Sequence, residues 1–518
     1  MANKSVFAAL RGRLLPKAKA TNAHGAPAYA YADAHALAQM AMTGTFGGLY
    51  YSAPQDELTR VVALAEAVEP RFLAQLAVHA RQAGQMKDMP AVLLAVLARR
   101  DPALFRAVFG RVVDNGRMLR SFVQVVRSGQ TGRRSLGSAP KAMVQHWLNT
   151  ASDRALVQAS IGNDPSLADV IKMVHPKPET PEREALFAWI IGRPCDLARL
   201  PRPVQDWLAF KATGAGAVPE VPFQMLTQLA LSAAQWGQIA RQGSWQMVRQ
   251  NLNTFHRHGV FDAAENVTHV AALLRDPEAI REARAFPYHL MVAAQNVVVG
   301  MPREIRAALH DAMEAAARNV PQVAGQVVVC PDVSGSMTGS VTGYRRGARS
   351  AVRHVDVAAL VAAAFLRVNR DCRVLPFDTE VRDVRLEPRD TILTNATRLA
   401  ALAGGGTNCS APLAWLNDRH RSPDLVVFVS DNQSWVDARE GGQGTAMMME
   451  WARLKHRNPA AKLVCIDIAP YGTTQAQERE DVLNVGGFSD AVFDRIASFA
   501  AGPTGTEHWL AEIAKIAV

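Results

Sequence analysis

From about Ala34 to Asn319 apolar residues recur three and four positions apart, as in RFLAQLAVHARQ from Arg71 and ALFRAVFGRVV from Ala103. That spacing puts one buried stripe on each of many short helices. Asp101-Pro102 and Asp276-Pro277 predict helix starts, a capping carboxylate followed by a proline in the first turn, and Asp114-Asn115-Gly116 predicts a stop. Helices of this length cannot cover their own apolar faces. The pattern predicts an antiparallel stack, an α-solenoid, although no strict repeat period is present.

After Val320-Pro321 the texture changes. Gly325 to Cys330, Cys372 to Phe377, Asp424 to Ser430 and Ala461 to Ala469 are short apolar runs with little alternation, the mark of strands buried on both faces. Helical segments lie between them, VDVAALVAAAFLRVN from Val355 and TAMMMEWARLKHR from Thr445. Strand alternating with helix predicts a parallel, doubly wound α/β sheet, which binds ligands at the carboxyl ends of its strands. The expected division is an arm over residues 1–22, a helical domain over 23–319 and an α/β domain over 320–518; the pattern itself sets the boundary at 320, and the start at 23 is what the family resemblance given below implies.

Composition adds a direction. At 518 residues several domains are expected, and 57 Lys and Arg against 47 Asp and Glu give a formal charge of +10. The surplus points toward a polyanionic partner, against the plainer reading of a solubility surplus. It is concentrated between Arg127 and Lys141, RSGQTGRRSLGSAPK, which carries four basic residues and no acid. The cysteines Cys195, Cys330, Cys372, Cys409 and Cys465 are scattered without a CxxC pair, which fits reduced buried thiols. The basic N-terminus lacks the apolar core and small-residue cleavage site of a secretory signal, and no run of apolar residues is long enough to cross a membrane. A cytoplasmic protein without a membrane partner is expected.

The segment VVVCPDVSGSMTGS, from Val327, ends a strand run at Asp332. A phosphate-cradling Walker loop would need a lysine that PDVSGSMTG lacks. A nucleophile elbow would need glycine two places before the serine, where Asp332 stands, and no activating base can be named for Ser334. Metal coordination fits better. Asp332, Ser334 and Ser336 alternate, so their oxygens can turn to one side of a tight loop, and Thr407 in GGGTN and Asp431 in VSDN supply oxygens at neighbouring strand ends. Asp378 and Asp467 also follow strands and read as strand terminators.

Asp332, Ser334, Ser336, Thr407 and Asp431 together resemble the metal-ion-dependent adhesion site of a von Willebrand factor A domain, over roughly Ala324 to Ala501. The resemblance implies one divalent cation per chain, magnesium or a similar ion, with a position left for an acidic group from a partner and no hydrolytic role. Tyr344, Arg345, Arg346, Arg349 and Arg353 follow the loop and would make its rim basic.

The helical half carries further phrases: GTFGGLYYS from Gly44, FVQVVRSGQTGRRSLGSAPKAMVQHWL from Phe122, VIKMVHPKP from Val170, RQNLNTFHRHGVFD from Arg249 and EAIREARAFPYHLMVAAQN from Glu278. They resemble successive parts of the TROVE domain, over about Ala23 to Gly300, and TROVE followed by a von Willebrand A domain is the architecture of the Ro autoantigen family and its bacterial members. The resemblance implies HEAT-like helical repeats curled into a ring that the A domain closes. It also implies binding of small structured Y-like RNA on a basic outer surface, and of single-stranded 3′ ends of misfolded RNA in the central hole. A 3′ exoribonuclease is the implied protein partner, and RNA quality control or maturation the implied role.

Residues can be set against that picture. Arg127, Arg133 and Arg134 precede a helix expected to be capped at Ser138, with Pro140 in its first turn and Lys141 and Gln145 on one face. Free amides beside basic side chains make a phosphate site. His175 and Lys177 in VHPKP match a position that the family uses near its hole. Gapless alignment puts Gln158 and Gly162 where vertebrate relatives are basic, and leaves Arg154 and Lys172 as the cations to replace them. Phe46, Tyr50 and Tyr51 read as turn and packing residues, whereas Arg249, His256, Arg257 and His258 form another basic cluster. The leading expectation is a nonenzymatic RNA-binding scaffold. The alternative is a metal-dependent protein-interaction module for which the helical array is only a platform.

Overall fold

The computed structural model describes residues 15–46, 52–283, 287–316, 320–341, 352–440, 443–469, 471–487, 490–502 and 508–518. These form two compact units, one from the described parts of 1–68, 286–292 and 313–515, the other from those of 69–285, 293–312 and 516–518.

The first unit is built on five parallel strands in the order β4-β3-β5-β6-β8. These are β3 Val327–Pro331, β4 Cys372–Val374, β5 Leu425–Ser430, β6 Lys462–Asp467 and β8 Val482–Gly486. All residues of β3, β5 and β8 are buried, as runs without alternation require. Val328, Cys330, Val426, Phe428, Leu463 and Cys465 share a cluster with Trp451 and Leu454 of the Ala446–Arg457 helix. The His354–Val368 helix packs on β3 and β4, and every residue from His354 to Leu366 is buried. Its apolar residues run all round the axis, so only an interior position satisfies it. Chain order reverses at β3: the next strand, β4, lies on one side and β5 on the other. A crevice opens at such a reversal, outside the strands' carboxyl ends.

Strand β8 is not apparent from apolar pattern, because Asn484 interrupts it. Asn484 is nonetheless fully buried, donating through Nδ2 to Ala476 O (3.0 Å) and Glu478 Oε2 (2.7 Å) and accepting from Thr474 Oγ1 (2.9 Å). The network satisfies what would otherwise be a costly buried amide. A second sheet joins distant parts of the chain: β1 Ala20–Thr21, β2 Pro27–Ala30 and β7 Thr473–Thr474 pair antiparallel in the order β1-β2-β7. Tyr29 of β2 is buried in the same cluster as Trp451, and the Asp33–Thr43 helix packs on β8. Residues 20–43 are thus integral to the sheet-bearing unit.

The second unit is helical. Helices Pro70–Gln82, Asp88–Arg100, Pro102–Val112 and Gly116–Arg127 pack on one another in succession. Phe105, Phe109 and Phe122 meet with centroids 5.5–5.7 Å apart and are buried. Asp101 accepts from the amides of Ala103 and Leu104, and Asp276 from that of Glu278, as their sequence predicts. Asn115 does more than end a helix: its side chain accepts from Met118 N and caps the next one. Ser138 is the first residue of the Ser138–Thr150 helix rather than its cap; Gly137 precedes it and no side chain caps that end.

Candidate metal centre and basic face

The strands set the donors of the first site. Asp332 leaves β3 while its amide still donates to Val429 O (3.0 Å), so its carboxylate is fixed at the mouth between β3 and β5. Its Oδ1 accepts from Ser334 N (2.8 Å) and its Oδ2 from Ser430 Oγ (2.6 Å). A short 3₁₀ turn, Gly335–Thr338, folds Ser336 back until its Oγ lies 3.2 Å from Ser334 Oγ. The Thr407 loop is tied to this turn by Gly335 N donating to Gly405 O (3.0 Å) and Gly404 N to Val333 O (2.8 Å). Asp431 follows β5 directly; its Oδ1 accepts from Gln433 N (3.2 Å), and the Ser336 hydroxyl also bonds its carboxylate. None of the five residues is more than 5% exposed.

Charge defines what this pocket wants. Burial pushes the carboxyl pKa of Asp431 upward and the Asp332 charge adds to it; burial likewise raises Asp332. Asp467, after β6, is raised well above its usual range by burial, with Asp431 contributing. Asp378, after β4, is fully buried and pairs with Arg382 at 2.9 Å. Asp378 and Asp467 do terminate strand segments, as expected, but their burial puts two more carboxylates behind the mouth. Two carboxylates and three hydroxyls form a hard-oxygen set whose charge a dication would offset. Among the described residues, Ser334 and Ser336 bond each other, and neither bonds a histidine.

The helical unit brings together residues that the sequence predicted separately. Gln145 Nε2 donates to Val174 O (2.6 Å) and His175 O (3.3 Å), and Asn149 Nδ2 to Lys177 O (2.9 Å). The Ser138–Thr150 helix thereby holds the end of the Leu167–Val174 helix, where His175 is a left-handed cap at φ 51°. Arg127 lies against the same end, its Nη1 3.3 Å from Met173 Sδ. Arg127, Gln145, His175 and Lys177 therefore border one surface, and Lys141 sits one turn from Gln145 on the same helix face. Arg134 folds over Gly129, and Nη1 of Arg133 lies close to Gly137, just before that helix.

Residues 326–500 match the family model described as the Ro60 vWA domain. They form a Ro60-type von Willebrand factor A domain. The likeness extends past it: the RNA-binding protein RO60 of Deinococcus radiodurans is 24% identical over 94% of this chain and 96% of its own. The Caenorhabditis elegans protein of the same name is 23% identical over 46% of this chain and 37% of its own. The crystal structure of the D. radiodurans Ro (Rsr) protein superposes with a TM-score of 0.59 at 22% identity, covering 91% of this chain and all of that one. The family read from the motifs is the one these comparisons return, and so is the pairing of a helical array with a doubly wound α/β domain.

All five predicted oxygen residues lie in the Ro60-type domain: Asp332 bonds Ser334, Ser336 lies against Ser334 and Asp431, and Thr407 stands on the adjoining loop. Of its expected basic rim, Tyr344, Arg345, Arg346 and Arg349 lie outside the described residues, while Arg353 is engaged with Asp356 at 2.8 Å. Tyr50 and Tyr51 also lie outside them; Phe46 is half-buried. The second basic cluster is largely structural. His258 stacks on Trp236 at 4.3 Å, Arg249 is buried over Trp245, and Asn253 brackets Asn296 and Val298 by hydrogen bonds of 2.7 and 3.1 Å. Two groups carried no sequence signal. Asn149 works only through its reach to Lys177, and Arg120 lies with its guanidinium against Gly162, far along the chain.

Proposed function

We propose that this protein binds RNA through its helical unit, taking small structured Y-like RNA and the single-stranded 3′ ends of misfolded RNA, without catalysing a reaction itself. The observation that carries the reading is the convergence of Arg127, Lys141, Gln145, His175 and Lys177 on one surface, beside an acid-free loop holding Arg133 and Arg134. Side chains of this kind grip phosphates, and affinity should fall steeply with salt. The names of the relatives support the choice of RNA. The role is RNA quality control or maturation in the cytoplasm, beside a 3′ exoribonuclease. Asp332, Ser334, Ser336, Thr407 and Asp431 would hold one Mg²⁺; its chemistry there is electrostatic, drawing an acidic group to the open side of the ion. Filter binding with a hairpin bearing a free 3′ tail against duplex DNA of equal length tests the proposal. Equal affinity for both would remove its main support.

One observation favours a second reading of the Ro60-type domain. Trp435 and Val436, 43% and 40% exposed, donate their amides to Thr407 O and so stand at the lip of the site. Exposed aromatic surface beside a cation suits an acidic side chain of a protein partner. On that reading Asp332→Ala abolishes partner binding, while charge reversal at Arg133, Arg134 and Lys141 leaves it intact.

A further inference from the structure

Two donors of the proposed metal centre, Thr407 and Asp431, stand in loops that belong to no helix or strand, and Asn432 beside Asp431 takes a left-handed φ of 59°. A backbone outside any ladder must be held by other bonds if a donor on it is to keep its place. Gln433 supplies two of them: its amide donates to Asp431 Oδ1 (3.2 Å) and its Nε2 to Asp431 O (3.1 Å). Ser434 joins the two loops, its Oγ accepting from Cys409 N (2.9 Å), and Thr407 O accepts the amides of Trp435 (3.1 Å) and Val436 (3.2 Å). Gln433 and Ser434 are both buried. Whatever fixes this pair therefore fixes Thr407 relative to Asp431.

The fixing comes from residues about 410 positions earlier in the chain. The tip of the β1–β2 hairpin lies on the pair. Asn22 is buried in that tip, and its Oδ1 accepts from His24 N (3.0 Å) and Ala26 N (3.1 Å), which closes the turn. Its Nδ2 is left to donate to Ser434 O, and Ala23 N donates to Gln433 Oε1 (2.9 Å). A third tie runs from the hairpin stem: Pro27 O and Asn432 O both accept from Gln475 Nε2, at 3.4 and 3.5 Å. The His24 ring stands 5.6 Å from that of Trp435, at the lip of the site.

We infer that the β1–β2 hairpin tip is a positioning element of the proposed metal centre: Asn22 and Ala23, acting through Ser434 and Gln433, set how Thr407 and Asp431 face each other and so set cation affinity. This rests on the reading above that Asp332, Ser334, Ser336, Thr407 and Asp431 hold a divalent ion. Such coupling is reciprocal. A docked tip that favours the cation requires a cation that favours docking of the tip.

The test uses the whole protein and Mn²⁺. Asn22→Ser keeps an oxygen for the turn but is too short to reach Ser434 O, and titration calorimetry should show affinity reduced by roughly fivefold or more, the lower end of such couplings. Gln433→Met, similar in length and without polar side-chain donors, should lose roughly ten- to hundredfold, the range for a group that orients a metal donor directly. Tyr29→Phe is the control: it removes a hydrogen bond to Pro16 O (2.9 Å) from the same hairpin and leaves Asn22 and Ala23 their bonds. It should lower the melting temperature with affinity unchanged. In the wild-type protein, saturation with Mn²⁺ should slow hydrogen exchange over residues 22–26 by a factor comparable to the Asn22→Ser loss, and Asp431→Ala should abolish that response. Wild-type affinity in folded Asn22→Ser, or equal losses in Asn22→Ser and Tyr29→Phe, would overturn the assignment, since affinity would then not follow the bonds of the tip. Exchange that Mn²⁺ does not alter in the wild-type protein overturns it equally, and that measurement needs no variant to fold. Absence of Mn²⁺ binding by the wild-type protein would instead overturn the metal reading itself.

Discussion

Gly405→Ala would separate the scaffold of the proposed metal centre from its donors. Gly405 has φ +77°, a conformation that costs alanine roughly 1–2 kcal/mol. Its new Cβ would fall 2.6 Å from Asp378 Oδ2, where 3.4 Å is the start of ordinary contact, so the carboxylate or the loop must retreat by roughly 0.8 Å. Asp378 has little freedom to do so. It is fully buried, paired with Arg382 at 2.9 Å, and accepts from Thr379 Oγ1 and Glu380 N at 3.2 and 3.3 Å. The loop should therefore move, at a total cost of about 2–4 kcal/mol. Because Gly405 O receives the Gly335 amide, that movement shifts Thr407 relative to Ser334 and Ser336. Donor sets tolerate displacements of about 0.5 Å. Isothermal titration of the whole protein with Mg²⁺ or Mn²⁺ should show at least a tenfold loss of affinity in a variant that still unfolds cooperatively. Unchanged cation affinity, with only a lower melting temperature, would refute the argument that this glycine sets the site's geometry.

Other outcomes follow from buried groups and surface charge. His35, stacked on Tyr31 at 4.4 Å and edge-on to Trp509 at 5.4 Å, is held neutral by burial with its pKa pushed down to about 4. Its folded pKa lies below the unfolded value near 6.5, so the unfolded chain gains the proton first and stability falls as pH drops from 6.5 toward 4. Comparing thermal unfolding at pH 7.5 and 5, His35→Phe should lose about 2 kcal/mol less than wild type; an equal loss would place the acid sensitivity elsewhere. Trp451→Ala removes a fully buried ring that also donates to Asp481 Oδ2 (2.9 Å), and urea titration should register a loss of about 3–5 kcal/mol. Reversing Arg133, Arg134 and Lys141 to Glu should lower hairpin affinity and reduce the salt slope by about 2 to 3, with melting temperature unchanged; an unaltered slope would show that these residues do not meet phosphate.

The sequence was most informative where backbone geometry and chemistry repeat a local rule. Asp332, Ser334 and Ser336 alternate within one tight loop, and Thr407 and Asp431 stand beside strand ends, so their convergence could be read before any coordinates. Buried strands showed as apolar runs, except β8, where a buried asparagine satisfied by Thr474, Ala476 and Glu478 breaks the pattern. Serine's usual preference predicts a cap at position 138, but Gly137 takes the non-helical turn instead. The change of texture at Val320 marks where the parallel sheet begins, but nothing local reveals that residues 20–43 pack with it, since β1 and β2 are two and four residues long. Arg120 was invisible for the same reason. It lies against Gly162, and contacts across such separations leave no periodicity to detect.

The pairing of Tyr29 with Thr474 has a temporal side. During synthesis β2 leaves the ribosome with its own hairpin neighbour but without β7, and at roughly 5–20 residues per second its partner follows about 20–90 s later. In that interval all of the helical unit except residues 516–518 is made, and its contacts are mostly between neighbours in the chain. The early strand, with Tyr29, meanwhile lacks β7 and Trp451, and the Asp33–Thr43 helix has the Pro54–Ala67 helix beside it but not β8. Nascent chains stalled before residue 470 should therefore be held by chaperones through this N-terminal segment, and release should coincide with the emergence of β7 and β8.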